Sequence, residues 1–320
     1  MCIKHGTLIN FLNKCKGSKK YMRENQPNKP LVSVIIPTFK TNCSLEKAII
    51  SVVEQSYNNI EIIVVDDNWP DSEYRKMAEL IVGKFKKIQY IQHPENKNGS
   101  AARNTGFLHS KGEYICFLDD DDFFYKNKIE KQVDFLLNNK FDGCTCFYKK
   151  DGREVRFDSK KDYKLEILMN NITPQTSSLM LKRGSIEELK GFNETYNRHQ
   201  DYEFLLRFLE KYKLGTIPEI LYERVNNGVD NIPNGDKLKL IKDKFLEEFN
   251  YVIEEERYNA KKIYAKNYMM VIFVYLKNKQ ITKGIKMFIH MRNVYILPYL
   301  IRRCIIGAEA LIKKRGNVND

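Results

Sequence analysis

Tyr114-Ile115-Cys116-Phe117-Leu118 runs directly into Asp119-Asp120-Asp121-Asp122, and Phe123-Phe124 follow. The apolar run predicts a buried strand, and the four aspartates stand where it ends. Carboxylates this close together repel one another, so a compensating cation is expected beside them. A divalent metal carrying phosphate would meet this need, because one or two carboxylates plus substrate phosphates commonly hold Mg²⁺ or Mn²⁺. A solvated acidic turn is the alternative.

The segments upstream of this run alternate between strand-like and helix-like patterns. Residues 31–36, 60–65 and 88–91 are short apolar runs that predict buried strands. Ser44 fits the N-cap of a helix between the first two strands, and residues 101–108 begin another helix. Strands that alternate with helices predict an α/β domain whose mostly parallel sheet is flanked by helices. In such sheets, ligands bind at the carboxyl ends of the strands.

Composition limits the class of protein and its location. The chain has 320 residues, a net charge of +13 and seven scattered cysteines, at positions 2, 15, 43, 116, 144, 146 and 304. These cysteines lack zinc-site spacing and indicate reduced thiols in a cytoplasmic protein, with Cys144 and Cys146 as core residues. No apolar stretch approaches the roughly 20 residues of a membrane-spanning helix, and the N-terminus lacks a secretory signal.

The positive charge is concentrated at the two ends of the chain. Residues 1–30 carry seven Lys or Arg against one Glu, and residues 257–320 carry fourteen against two acidic residues. This distribution predicts a surface-binding device attached to a separate catalytic unit. Nucleic acid is not expected as a partner, because no recognition motif accompanies the charge.

Five segments together resemble family 2 glycosyltransferases of the GT-A fold, of the bacterial surface-polysaccharide type. They are VIIPTF at 34–39, VVDD at 64–67, GSAARNTG at 99–106, GEYICFLDDDD at 112–122 and QDYEFLLR at 200–207. The resemblance implies a nucleotide-sugar transferase domain over residues 31–235. A basic tail over residues 1–30 would precede it, and a basic helical region over residues 236–320 would follow it.

The resemblance assigns several residues to the nucleotide. Pro37 and Phe39 would line the base pocket, and Asp67 would accept hydrogen bonds from the base or the ribose, whose donors suit a carboxylate. A helix N-cap is the alternative for Asp67. Arg103 would present its guanidinium near the nucleotide or, equally, act as a buried partner for Asp119. Asp119 itself would face the ribose.

The family's D-x-D pattern maps best onto Asp119 and Asp121. Asp121 would bind the divalent metal, Mn²⁺ or Mg²⁺, that neutralises the departing diphosphate. Four adjacent aspartates leave the register open, so Asp120 and Asp122 remain alternatives. Many members add a histidine ligand after the last core strand, but residues 221–230 contain none.

The resemblance makes Asp201 the catalytic base, at the start of a predicted helix. It would take a proton from an acceptor hydroxyl, which attacks the sugar from the face opposite the diphosphate and inverts the anomeric carbon. Alternatively, Asp201 only complements the helix dipole. His199 is the neighbouring candidate base, with a plain polar loop residue as its alternative, and Gln200 stands where many members have Glu.

Two further features of the site remain open. Thr176, Ser177 and Ser178, on a predicted strand, would contact sugar hydroxyls or would simply be exposed strand residues. His199 and Gln200 are further candidate contacts to the sugar or the acceptor. Trp69, the only tryptophan, would stack on the nucleotide or cover the loop beside it.

The basic helical region allows two interpretations. It is either an interfacial helix pair that binds an anionic membrane at the inner face of the cell membrane or a small bundle that packs on itself.

The sequence as a whole predicts an inverting, metal-dependent glycosyltransferase of the hexosyltransferase type. The donor would be a nucleotide sugar, most simply UDP-linked, and the acceptor a glycan or lipid-linked hydroxyl. The alternatives are a sugar nucleotidyltransferase and a non-catalytic sugar-binding scaffold.

Overall fold

A computed structural model of the chain describes residues 29–40, 44–158, 161–171, 174–225, 233–256 and 259–291. Nearly all of the predicted basic tail lies outside these ranges, as do the apolar and basic residues 292–320. The histidine-free stretch is described only as far as residue 225. Of the seven cysteines, Cys116, Cys144 and Cys146 are described, and all three are free and buried as predicted.

The first half of the domain has the predicted alternation of strands and helices. Its elements are β1 Val32–Thr38, α1 Ser44–Val53, β2 Ile60–Asp66, α2 Glu73–Val82, β3 Ile88–Gln92, α3 Gly99–His109 and β4 Tyr114–Phe117. Strand β1 lies between β2 and β4 and is parallel to both, and β3 is parallel to β2. The carboxyl ends of β1, β2 and β4 therefore meet at one edge of the sheet.

The second half extends the same sheet. Its elements are β5 Asp122–Phe124, α4 Lys128–Asn138, β6 Gly143–Lys150, β7 Arg153–Val155, α5 Tyr163–Leu168, β8 Met180–Lys182, α6 Arg183–Glu188, α7 Gln200–Lys211 and β9 Leu214–Arg224. The strand order is β3-β2-β1-β4-β8-β6-β9-β5, with β7 paired to β6. The sheet is parallel through β4 and mixed beyond it, because β8 runs against both β4 and β6 and β5 runs against β9.

A glycine sets the distance between α3 and the sheet. A Cβ atom on Gly106 would lie 2.3 Å from Cγ2 of Ile35 in β1 and 3.3 Å from a methyl group of Val65 in β2. Any larger residue would push the helix outward, because a packed core has no room for an added methyl group. Gly106 thus lets α3 rest directly on β1 and β2, with Arg103 one turn nearer the helix start.

The described part of the C-terminal region is helical, and its first helices share the core of the domain. The helices are α8 Gly235–Glu248, α9 Asn250–Glu255, α10 Ala260–Lys277 and α11 Ile281–Met291. Phe245, Phe249 and Ile263 are buried in the same hydrophobic cluster as Phe204 of α7. The predicted boundary at residue 235 remains a prediction, and one continuous core crosses it.

The apolar residues 268–276 fall inside α10, where Val271, Ile272 and Tyr275 are buried by neighbouring helices. Within the ranges that the structure describes, no helix combines the length and the apolar character needed to cross a bilayer. Helix α11 differs from α10, because Ile281, Ile285 and Ile289 are more than half exposed.

Candidate active site

The acidic loop is tied to the end of β1. Leu118 donates its backbone N–H to the carbonyl of Ile35 at 2.9 Å, which continues the pairing of β4 with β1. The chain then turns, and the N–H of Asp122 donates to the carbonyl of Asp119 at 3.0 Å. The hydroxyl of Thr38 donates to a carboxylate oxygen of Asp120 at 2.6 Å. The carboxylates are therefore held at the carboxyl edge of the sheet.

Arg103 joins this loop to the helix of the candidate base. Its guanidinium is almost buried and donates to Oδ1 of Asp119 at 2.6 Å and to Oε1 of Gln200 at 3.0 Å. Gln200 directly precedes Asp201 at the start of α7. The ion pair with Asp119 matches one of the two expected roles of Arg103, and contact with a nucleotide remains a prediction.

Burial and mutual repulsion perturb the carboxyl groups of the loop. Burial, reinforced by Asp119, raises the pKa of Asp121 to about 6. Burial and the Asp119 charge also raise the pKa of Asp122 well above its usual range. The Oδ1 atom of Asp122 is buried and has no hydrogen-bond partner among the residues described. A cation at this loop would relieve both the repulsion and the unsatisfied oxygen.

These residues fit a divalent metal in the chemistry of their donor atoms. Asp119 and Asp121 present hard carboxylate oxygens, which are the ligands that Mg²⁺ and Mn²⁺ prefer. Over the described ranges, however, no group of three His, Cys, Asp or Glu side chains is placed to hold a metal ion. Substrate phosphates and water would have to complete the coordination.

The expectation for residues 176–178 was wrong in its secondary structure. They form a 3₁₀ turn before β8 and are buried, not exposed on a strand. The Ser177 hydroxyl accepts a hydrogen bond from the N–H of Asp119 at 3.1 Å, and Ser178 pairs with Thr145 at 2.8 Å. Thr176 points at the Asp119 carboxylate from 3.4 Å. Because the turn packs under the acidic loop, its side-chain contacts override the strand propensity of the sequence.

Asp67 is buried, and four donors within the chain bind its carboxylate. One oxygen binds Nδ1 of His93 at 2.7 Å and the N–H of Lys97 at 2.8 Å. The other accepts from the Asn96 amide at 2.8 Å and the N–H of Asn98 at 2.9 Å. The structure thus places Asp67 as the organiser of the loop over residues 93–98, and a nucleotide contact would have to replace or share one of these bonds.

Asn98, in that loop, caps α3. Its side-chain oxygen accepts from the N–H groups of Ser100 and Ala101 at 2.9 and 3.2 Å. Sequence reasoning did not single out His93, Asn96 or Asn98. Their polar run after β3 was the available signal, but nothing local connects it to a carboxylate about thirty residues earlier.

An exposed aromatic pair stands at the ends of β1 and β2. The rings of Phe39 and Trp69 meet edge to face, with their centroids 5.4 Å apart. The amine of Lys40 lies 5.2 Å from the Phe39 ring and 5.8 Å from the Trp69 ring. Pro37 is partly buried within β1. Phe39 and Trp69 therefore lie together on the surface where the base pocket is predicted.

Asp201 lies in the first turn of α7, as predicted. The carboxylate is partly buried and accepts the N–H of Tyr202 at 3.1 Å. Burial raises the pKa of Asp201, while the positive charge of Arg103 opposes this shift. A carboxyl group with a raised pKa suits a general base, because proton transfer is most efficient when the pKa approaches the working pH.

His199 lies in the loop before α7, as its alternative described, but its side chain is buried. It adopts a left-handed backbone conformation, with φ of 63°, immediately before α7. Its ring stacks on Tyr202 at 4.7 Å, and its Nε2 atom has no hydrogen-bond partner in the described part of the chain. Burial and the nearby charge of Lys242 lower the pKa of His199.

Two further residues lie close to the site but belong to none of the five sequence motifs. Arg224 of β9 is paired in register with Asp122 of β5. Lys242 of α8 is fully buried; its charge lowers the pKa of His199, and the Asp201 charge acts on Lys242 in turn. The one available signal for Lys242 is that it occupies a core position of its helix, between Leu238 and Phe245.

Three comparisons with known proteins show which family the chain resembles. The family model described as glycosyl transferase family 2 matches residues 33–213. An uncharacterized glycosyltransferase of Haemophilus influenzae is 35% identical over 191 residues, covering 58% of this chain and 74% of its own. The amylovoran biosynthesis glycosyltransferase AmsB of Erwinia amylovora is 31% identical over 191 residues, covering 55% of this chain and 62% of its own.

Among solved structures, S. aureus TarS 1–349 in complex with UDP-GlcNAc superposes with a TM-score of 0.55. Sequence identity is 18%, and the match covers 68% of this chain and 66% of TarS 1–349. At this identity the likeness establishes the fold, which is the predicted GT-A fold. Since the family model covers more than half of the chain, the chain belongs to glycosyl transferase family 2 and is a glycosyltransferase.

Proposed function

We propose that this protein transfers a sugar, with inversion, from a UDP-linked donor to a hydroxyl group of a glycan or lipid-linked acceptor in the synthesis of a surface polysaccharide. The bridge from Asp119 through Arg103 to Gln200 carries the proposal, because it joins the acidic loop to the helix of Asp201. The UDP-GlcNAc complex of TarS supports the donor class, and the name of AmsB supports the biosynthetic role.

In the proposed reaction, Asp201 accepts the proton of the acceptor hydroxyl as that oxygen bonds to the anomeric carbon. The bond from this carbon to the diphosphate oxygen breaks, and UDP leaves with the electron pair. Attack and departure on opposite faces of the sugar invert the anomeric carbon. Arg103 holds the two sides of the site in register, so that the reacting atoms start close to one another.

Each nucleotide-binding element has a proposed task. Phe39 and Trp69 pack against the base, and Pro37 shapes the strand end below it. Asp119 faces the ribose while paired with Arg103. Asp121, with substrate phosphates and water, would hold a divalent metal, Mn²⁺ or Mg²⁺, that neutralises charge on the departing diphosphate when it is bound. Thr176, Ser177 and Ser178 support Asp119 from below and are not proposed to touch the sugar.

Calorimetric titration with UDP, GDP and dTDP, each with Mn²⁺ and with a chelator, tests the donor site. UDP is expected to bind best and only with metal, and Asp121→Asn should weaken it at least tenfold. Asp134→Asn, on an exposed residue in the middle of α4, is the matched control. If no nucleoside diphosphate binds under either condition, the transferase proposal fails and a sugar-binding scaffold takes its place.

We also propose that the protein acts from the cytoplasm, where α11 rests on an anionic membrane surface carrying the acceptor. Ile281, Ile285, Phe288 and Ile289 form an exposed apolar stripe on this helix. Lys286 lies on the same helix, as expected of an element that binds a surface by apolar insertion and by attraction to anionic lipid, whereas Lys283 is paired with Asp236 at 2.6 Å.

A further inference from the structure

Helix α8 carries a lysine at the centre of its core face. Lys242 is 0% exposed, and it follows Leu238 by four residues and precedes Phe245 by three, a spacing that faces one side of a helix. Its amine donates to the side-chain oxygen of Asn170 at 2.7 Å. The Asn170 amide donates in turn to Asn267 of α10 at 2.7 Å. These amides fix the position of the amine but carry no charge.

Three ionisable groups just before and at the start of α7 interact electrostatically with this amine. They are Arg198, His199 and Asp201. Burial, followed by the charge of Arg198, lowers the pKa of Lys242 to about 7, and Asp201 works in the opposite direction. A buried ammonium group is costly unless an anion compensates it. Of the three groups, only the Asp201 carboxylate can supply negative charge.

Packing places the lysine beside the helical turn that carries Asp201. The amine lies 6.0 Å from the ring centroids of both Tyr202 and Phe245, and Tyr202 is the next residue after Asp201. The Tyr202 ring stacks on His199, which starts the helix. Helix α8 therefore supports the first turn of α7, where the base lies.

We propose that Lys242 is a positioning residue for the base, whose ammonium group stabilises Asp201 in the ionised form that accepts the acceptor's proton. The inference rests on the proposed function for the role of Asp201. Lys242 lies outside residues 33–213, which the family model matches, so this support comes from the C-terminal helices.

The proposal predicts a particular dependence on pH. Below about pH 7 the amine of Lys242 is protonated and favours ionised Asp201, and above this pH it is largely neutral. Lys242→Met should therefore reduce turnover in acid and leave it nearly unchanged in alkali. Arg103 and Asp119 also act on Asp201, but neither is altered in the variant. Damage to the fold would instead lower turnover at every pH.

Direct titration of Asp201 by NMR tests the proposal without any substrate. The protein is labelled with ¹³C at the aspartate carboxyl groups, and the Asp201 signal is identified by its absence in Asp201→Asn. Its pKa is expected to move upward in Lys242→Met and in Lys242→Gln. An Asp201 titration identical to wild type in both variants would overturn the proposal.

The choice of variants separates charge from structure. Lys242→Gln retains a donor for Asn170 but carries no charge, so it should behave like Lys242→Met if charge matters. If Lys242→Met does not fold, the pKa of Asp201 measured in Lys242→Gln alone tests the proposal. Lys237→Met is the matched control, because Lys237 is exposed on the same helix. A shift of the Asp201 signal in Lys237→Met as large as in the Lys242 variants would contradict a specific role.

Failure of this inference is distinguishable from failure of the proposed function. Release of UDP from UDP-GlcNAc and other UDP-sugars by the wild-type protein reports the proposed function. If the pKa of Asp201 rises by one unit in Lys242→Met, turnover at pH values below that pKa should fall about tenfold. If the wild type neither turns over nor binds UDP, the proposed function fails, whereas the NMR titration still decides whether Lys242 stabilises the Asp201 carboxylate.

Discussion

Asp66 and Asp67 are neighbours in the chain but organise different parts of the site. The Asp66 carboxylate accepts hydrogen bonds from the backbone N–H and the side-chain amide of Asn68, both at 2.8 Å. It also accepts a hydrogen bond from the hydroxyl group of Tyr90 in β3. Asp67 faces the other way and gathers the loop over residues 93–98. Together they fix the polypeptide around the end of β2.

Asp67→Asn is expected to lower the free energy of unfolding by about 2 to 4 kcal/mol. The amide group would turn a donor toward groups that already donate, and buried donors would lose their acceptor. Chemical denaturation measures the loss, with Asp71→Asn as the exposed control. An unfolding free energy equal to that of wild type would show that the four bonds contribute little.

Asp201→Asn should lower turnover by about 10²- to 10⁴-fold, because an amide cannot accept the hydroxyl proton. Affinity for UDP with metal should stay within about twofold of wild type, since the residue is not proposed to contact the nucleotide. Single-turnover kinetics and calorimetry give the two values. Comparable turnover in variant and wild type would exclude Asp201 as the base.

Binding of UDP with metal should weaken as the pH falls below about 6. The pKa of Asp121 is raised to about 6 by burial and Asp119, so protons compete with the metal for this carboxylate below that pH. Above it, the ionised group is available and affinity should level off. Calorimetry at pH 5, 6, 7 and 8 checks the profile, and Asp121→Asn should remove most of the dependence.

Arg103→Lys should lower turnover by roughly 10- to 100-fold. A single ammonium cannot hold Asp119 and Gln200 at once in the planar geometry of a guanidinium, so the acidic loop and α7 lose their fixed relation. Steady-state kinetics measure the effect. Arg156→Lys, at an exposed ion pair with Glu154, is the matched control and should leave turnover unchanged.

Ile285→Glu combined with Ile289→Glu should abolish most binding to vesicles that contain anionic lipid. Each change places a charge on the apolar stripe of α11 and repels the lipid surface. Co-sedimentation with vesicles of phosphatidylglycerol and phosphatidylcholine, against phosphatidylcholine alone, measures binding. Leu80→Glu, on the exposed face of α2, is the control. Wild-type protein that ignores both kinds of vesicle would refute the membrane proposal.

The sequence predicted the features that short-range patterns determine. Apolar runs fixed β1, β2 and β4, and their ends placed the four aspartates at the carboxyl edge of a parallel sheet. The apolar spacing after Asp201 correctly placed it at a helix start. Each of these features depends on residues that are close together in the sequence.

Features that depend on distant partners were not predictable. Thr176, Ser177 and Ser178 were predicted to lie on a strand but form a 3₁₀ turn. In this turn Thr176 and Ser177 contact Asp119, almost sixty residues away in the sequence. The saturation of Asp67 depends on donors from residues 93–98. The charge of Asp201 acts on Lys242, a core residue of α8 that is more than forty residues away in the sequence.

The core that crosses residue 235 has a consequence for how the protein melts. Phe245 lies against His199 and Tyr202, and Phe249 and Ile263 belong to the same cluster. The catalytic and helical regions should therefore unfold in one cooperative transition, not as two independent units. A protein shortened to residues 33–213, which carry the family motifs, would expose this apolar surface and should aggregate. The part of the chain that folds as one unit is therefore longer than the part that identifies the family.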